Sequence, residues 1–397
     1  MKKTEIILAF TALALMSFLL QGSKKATRDV DKSDVNEFYF GADLSYVNQI
    51  LDFKGVYKEG GKVANPYHIF KNHGANLVRL RLWNNPSWTK EIYGAAGKQL
   101  YNDLKDVERS IRASRDQGLQ VLLDFHYSDT WADPGKQEIP KAWKDIKSID
   151  VLADSVYHFT FSALSYLDKK GLMPELIQVG NEINCGMLYT NAPDGFPSCN
   201  ACNGNWLNLG VVLNHAIRAV RDVSSHSLIR SRILLHVADP KNVDWWFDNV
   251  TTQGKVVDFD MIGFSYYPIW HTTVPLEKLS SKVAAFKSKY KKPIMILETA
   301  YPWTADNRDG YTNIFGSQPA IKGFPFTVKG QFDMMQAITQ AVKEGGGSGV
   351  VYWEGAWISS DMKDLWGQGS SWENCALFDF EGNAMESIDF MRYNYKN

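Results

Sequence analysis

Short apolar runs of strand length recur eight times in this chain, each followed by a segment of helical period or a loop leading into one. They fall at 38–45, 76–83, 120–127, 175–183, 232–238, 261–268, 293–300 and 349–357. Few architectures accept that order. Strands that alternate with helices are parallel, and the crossovers between them are right-handed. Eight such units in one domain point to a (β/α)8 barrel, usually about 250 residues before loop insertions. The helical segments are amphipathic: Leu104, Val107 and Ile111 share one face, and Gly118 follows as a stop signal. Segments 151–171 and 330–347 behave alike. No linker, low-complexity tract or internal repeat divides the chain after residue 37, so 38–397 is expected as one domain. The long spans 184–205, 301–328 and 358–382 are expected as loop insertions on the face where the strands end.

The N-terminus reads as a targeting segment. Lys2 and Lys3 precede an apolar stretch, Ile6 to Leu20, too short to span a bilayer. A signal peptide over 1–23 and a flexible linker over 24–37 are expected. The segment ends "LLQGS", like a bacterial lipoprotein signal with Ser23 where the lipid-accepting Cys would stand. A thiol forms the thioether and a hydroxyl does not. The expectation is export: secreted or periplasmic, or cell-surface if the native residue at 23 is a lipidated Cys. Cys185, Cys199, Cys202 and Cys375 are then free to form disulfides, and four cysteines allow three pairings among which spacing does not choose. Cys199-x-x-Cys202 resembles half a zinc site, but no second pair or nearby His completes it. Charge is balanced, 43 Lys+Arg against 44 Asp+Glu, which argues against a nucleic-acid partner. A monomer is expected.

Each of the eight runs starts apolar and ends polar or aromatic. The ends carry Asp43, Arg79 and Arg81, His126, Asn181 and Glu182, Tyr266 and Tyr267, Glu298, and Trp353 with Glu354. Carboxylates are rarely buried without a partner. In (β/α)8 barrels the C-terminal strand ends carry the reactive groups. That places Glu182, after the fourth strand, and Glu298, after the seventh, on one rim despite their distance in sequence. Two carboxyl groups across a cleft suit cleavage of a glycosidic bond. One donates a proton to the leaving oxygen and the other attacks the anomeric carbon. A second carboxylate nearby raises the pKa of the acid, and an Arg keeps the nucleophile ionised. Arg79 and Arg81 share strand parity; Arg79 is the expected partner of the nucleophile, with Tyr266 donating to the same group. Asn181 offers an amide to a sugar 2-OH, and His126 a contact to a sugar hydroxyl at the scissile bond. Asp43, Arg81 and Asp129 are further candidates for binding the substrate. Trp83, Trp131, Trp270, Trp303, Trp353 and Trp357 follow strand ends and offer flat faces for sugar rings, whereas Trp245 and Trp246 belong to a helix and read as structural.

The stretches "GADLS", "VRLRLW", "DFHYSDTWADPGKQ", "QVGNEINCG", "GFSYYPIW", "ILETAYPWT" and "VYWEGAW" together resemble the arabinogalactan endo-β-1,4-galactanases, glycoside hydrolase family 53, of the retaining (β/α)8 glycosidase clan. The resemblance runs from about residue 39 to the C-terminus and is most specific at 125–137. It implies Glu182 as acid/base, Glu298 as nucleophile, and β-1,4-galactan of pectin side chains as substrate. No cofactor is expected for the chemistry. Some bacterial members hold a calcium ion after the seventh strand; here Asp306, Asp309 and Asn313 are the candidate ligands of a structural site, with Arg308 among them. Rival readings are a mannanase or glucanase of the same clan, a metal-dependent barrel hydrolase, and a catalytically inactive glycan-binding protein.

Overall fold

A computed structural model describes residues 38–396; the expected signal peptide and linker lie outside the described residues. All eight expected strands form. In chain order they are β1 (Tyr39–Asp43), β2 (Leu77–Leu82), β3 (Gln120–Phe125), β4 (Leu176–Val179), β5 (Arg232–Ala238), β6 (Met261–Ser265), β7 (Ile294–Thr299) and β8 (Gly349–Tyr352). Neighbours pair in parallel, and β1 pairs with β8 as well as β2, which closes the barrel. The helices form where expected: Leu104–Asp116 is capped by the Asp103 side chain, and Val328–Glu344 by Thr327.

The barrel interior is built in layers. The lowest is a plug of aliphatic side chains with Tyr39, including Leu77, Leu122, Leu176, Leu234, Met261 and Met295. Strand alternation then puts the residue two places on into the next layer. From Leu77 this is Arg79, from Leu122 Asp124, from Leu176 Gln178, and from Leu234 His236. From Met261 it is Gly263, whose missing side chain leaves room for Leu297: a Cβ there would lie 2.1 Å from Leu297 Cδ1. The third layer brings Asp43, Arg81, His126 and Ser265 to the rim. The pairing of β6 with β7 slips between Phe264 and Ser265, so that Ser265 stands beside Glu298 rather than Leu297. This bulge turns Glu298 inward although Leu297 also points inward.

Of the three long insertions, 301–328 and 358–382 contribute cleft walls, through Tyr311, Thr312 and Ile314 and through Asp364, Trp366, Ser371 and Trp372. The span 184–205 lines no part of the cleft. It folds into a two-stranded ribbon, Gly186–Met187 with Cys199–Asn200, tied by a disulfide between Cys185 and Cys202. Cys199 and Cys375 are buried free thiols, so the cysteine pair at 199 and 202 is not a zinc half-site. The bridge closes a short loop three residues after Glu182. Its removal by Cys185→Ser with Cys202→Ser is expected to cost about 3 kcal/mol of stability, read as a drop in denaturation midpoint. An unchanged midpoint would mean that packing alone fixes this loop.

Candidate active site

β4 stops at Val179, and the chain turns through Gly180 at φ 83° before Asn181 and Glu182. Glu182 itself has φ 47°, a left-handed conformation costly for a non-glycine residue. The turn lifts both side chains over the barrel mouth. There a cleft of about 630 Å³ opens, with Asn181, Glu182 and Glu298 on its floor and Trp131, Trp353, Trp357 and Trp372 among its walls. Both acids are nearly inaccessible, Glu182 8% and Glu298 5% exposed. A carboxylate oxygen of each, and a ring nitrogen of His236, lie within 4.8 Å of one another.

Their surroundings differ. Glu298 Oε1 meets Arg79 Nη2 at 2.9 Å, and Tyr267 Oη donates to Glu298 Oε2 at 3.0 Å. Arg79 also donates to Asp43 at 2.9 Å, to Asp124 at 2.8 Å and to the Asn181 Oδ1 at 2.7 Å. Burial alone would lower the Arg79 pKa, but the charges of Asp124, Glu298 and Asp43 hold it well above its ordinary value. Burial pushes the Glu298 carboxyl up to about 7, with Arg79 opposing. Among the described residues Glu182 has no cation in contact. Burial first, then the charge of Glu298, drives its pKa well above the carboxylate range, and a hydrogen bond from Ser265 opposes the rise. Of the two, Glu182 therefore holds the proton and Glu298 the charge.

Several expected site residues sit elsewhere. Glu182, Glu298, Asn181, Trp131, Trp353, Trp270 and Trp357 line the cleft as expected, and Arg79 pairs with Glu298. Tyr266 does not touch Glu298; its hydroxyl donates to the Val274 carbonyl, and the adjacent Tyr267 makes the contact. Parity explains the correction: Met261, Gly263 and Ser265 face the axis, so the next inward position is 267. Asp43 lies beneath the floor, bound by Arg79 and Ser45. His126 is also below it: Trp83 Nε1 and the Ala132 amide donate to Nδ1, and Nε2 faces Asp124, which leaves no ring nitrogen for a sugar. Burial lowers its pKa and keeps it neutral. Trp83 is fully buried and serves as that donor. Arg81 is a buried support, 2.8 Å from Glu354 and stacked 4.0 Å under the Trp131 ring. Asp129 braces a loop by accepting the amides of Asn85 and Lys141. Trp303 packs against Phe380 away from the cleft. Trp246 is buried as expected of a structural residue, whereas Trp245 is 44% exposed on the surface.

Asp306, Asp309 and Asn313 make contacts within the 301–328 insertion and, through Asp309, with the 358–382 insertion. Asp309 accepts the amides of Tyr311 and Ser370, and Asn313 donates to the Asp306 carbonyl. Tyr267 is named from the sequence as a strand end but its role is given there to Tyr266; Ser265 and His236 around the acids, and Trp366, Trp372 and Tyr311 in the walls, carry no expectation at all. Tyr267 was accessible by counting parity. The wall residues carry no positional signal, since loop residues follow no period.

Residues 39–391 match the model of glycosyl hydrolase family 53. An arabinogalactan endo-β-1,4-galactanase of Cellvibrio japonicus is 41% identical, over 98% of this chain and 97% of its own. An endo-β-1,4-galactanase of Bacillus subtilis is 32% identical, over 90% of this chain and 86% of its own. Among solved structures, the family 53 catalytic domain of Ignisphaera aggregans superposes with a TM-score of 0.78 at 34% identity, covering 91% of this chain and 97% of that one. A match to the family model across nearly all of the described barrel, joined to relatives similar over most of their length, places the chain in glycosyl hydrolase family 53.

Proposed function

We propose that this chain is an endo-acting, retaining hydrolase of β-1,4-galactan. The observation that carries the reading is the pair Glu182 and Glu298: two carboxyl groups with an oxygen of each within 4.8 Å of the other, one beside an arginine and one with no cation in contact among the described residues, on the floor of an open aromatic cleft. In the first step Glu298 attacks the anomeric carbon while Glu182 gives its proton to the departing O4. The sugar is then an ester of Glu298. In the second step Glu182, now ionised, takes a proton from water, and the oxygen displaces Glu298. Each step inverts the anomeric carbon, so the pair retains it. Oxygens within 4.8 Å suit this mechanism, since retaining pairs stand about 5–5.5 Å apart, whereas an inverting pair needs roughly 6.5–9.5 Å to admit water. Arg79 and Tyr267 stabilise the carboxylate as it forms and leaves. Asn181 lines the cleft floor, its Oδ1 held by Arg79 and one Nδ2 hydrogen given to the Ala132 carbonyl, which leaves the other for a sugar 2-OH.

The substrate follows from shape as well as from family. A β-1,4 bond to galactose leaves through an axial O4, so the chain bends where a glucan runs nearly straight. Polar groups set for one epimer discriminate strongly against another. Trp131, Trp353 and Trp270 line the cleft with the two acids and offer apolar faces to the rings of a chain lying across the scissile position. The Cys185–Cys202 disulfide suits an oxidising compartment and supports export to where a wall polysaccharide is met. The test is chromatography of products over time with the anomer of the first product read by NMR. Mixed oligosaccharides and a β-anomer are expected early. Galactose as the sole early product, an α-anomer, or equal rates on mannan or carboxymethylcellulose would each overturn a part of the reading.

A further inference from the structure

The cation-free side of Glu182 is not without structure. Ser265, at the end of β6, donates to Glu182 Oε1 at 2.5 Å. Behind it His236 Nε2 lies 2.9 Å from the same hydroxyl. All three residues are buried. A serine hydroxyl has one hydrogen and two lone pairs, so its direction depends on what His236 offers. At the other ring nitrogen, Nδ1 meets Gln178 Nε2 at 3.0 Å and the Glu182 amide at 3.4 Å, both donors. The Gln178 orientation is fixed in turn, since its Oε1 accepts from Arg79 Nε at 3.1 Å. Asn181 Oδ1 also lies 3.0 Å from Nδ1, but Arg79 and Gln178 already donate to it. Nδ1 is therefore an acceptor and Nε2 carries the hydrogen. The imidazole stays neutral because burial, then the charge of Arg79, disfavours the cation.

The consequence is directional. His236 donates to Ser265, which leaves the serine hydrogen nowhere to point but at Glu182 Oε1. The second oxygen, Oε2, has no hydrogen-bond partner among the described residues, and Glu182 forms part of the cleft floor. We propose that Ser265, directed by His236, is the positioning residue that reserves Oε1 as an acceptor and so assigns the catalytic proton to Oε2. This rests on the acid/base role of Glu182 argued above. It gives His236 a function that requires it to remain uncharged, and it lets Glu182 act as acid and as base through one oxygen without rotating its carboxyl. The other charged groups that face Glu182 are Glu298, Asp133 and Arg79, and none of them donates a hydrogen bond to it.

Ser265→Ala tests this. Without the hydroxyl, the ionised form of Glu182 loses a donor, so the alkaline limb of kcat/KM, which reports loss of the acid, is expected to move up by about one pH unit. The rate on galactan is expected to fall about ten- to hundredfold as the proton loses its fixed site. An aryl galactoside with a good leaving group, which needs no proton to depart, is expected to react within about threefold of wild type. Ser265→Cys, of similar shape but a weak donor, is expected to fall between the two and serves if the alanine variant unfolds. A limb that stays in place, with both substrates slowed equally, would reduce Ser265 to packing and overturn the proposal. A Glu182→Gln enzyme that keeps its turnover would instead remove the acid/base reading on which the proposal stands, and the two failures are separable.

Discussion

Glu298→Gln is expected to abolish turnover on galactan, with kcat/KM lower by about 10⁴-fold or more, while the protein stays folded. An amide oxygen is a poor nucleophile, and no ester can form. Stability should move the other way. The carboxyl is held near 7 in the folded chain, above its value of about 4.3 when unfolded. A folded group with a raised pKa binds more protons than the unfolded one, so its contribution to stability is lost as pH climbs from the unfolded value through 7. Gln carries no such penalty. Thermal melts at pH 5 and pH 8 should therefore show the variant gaining on wild type at the higher pH. The companion change, Glu182→Ala, should hurt galactan far more than an aryl galactoside. Equal losses on both substrates, or a Glu298→Gln enzyme within tenfold of wild type, would undo the assignment of roles.

Arg79→Met is expected to be the most damaging single change to the fold. The guanidinium is 1% exposed and neutralises Asp43, Asp124 and Glu298 together. Its aliphatic replacement fills much of the space but leaves three buried carboxyl groups without a cation. Breaking one buried pair typically costs about 3–5 kcal/mol, so a large fraction of a domain's stability is at stake. The protein is expected to accumulate poorly, and mild acid to recover part of the loss by protonating the orphaned groups. Chemical denaturation at pH 5 and pH 8 reads this directly. A midpoint equal to wild type at both pH values would show that the cluster tolerates its own charge.

The barrel was legible because eight strand-length runs with helices between them leave little topological freedom. The two acids were legible because a carboxyl at the end of an apolar run demands a reason. What failed was depth. Arg81, His126 and Asp43 stand at strand ends, as Glu182 does, yet they lie below the floor. Position along a strand gives the layer only once the register of its neighbours is known. Tyr266 was a parity error that the alternation from Met261 would have corrected. Glu298 broke parity in the other direction, through a bulge that no pattern of residue types announces. Ser265 and His236 were overlooked because neither is unusual in composition, and their role appears only when three strands meet. Trp366 and Trp372 belong to loops, where recognition has no period to betray it.

The register that closes the barrel also sets an order of events. β1 hydrogen-bonds β8, Tyr39 opposite Gly349, so the first described strand waits for the last before its outer edge is satisfied. During synthesis nearly the whole domain must emerge while that edge stays open, and an open edge is a template for another chain. Contacts so distant in sequence also form slowly. Recovery from denaturant should thus depend on dilution more than on solvent, and a holdase that shields β1 should raise yield without changing the final stability. The seam between the two ends of the chain, rather than the catalytic floor, is where production of this enzyme succeeds or fails.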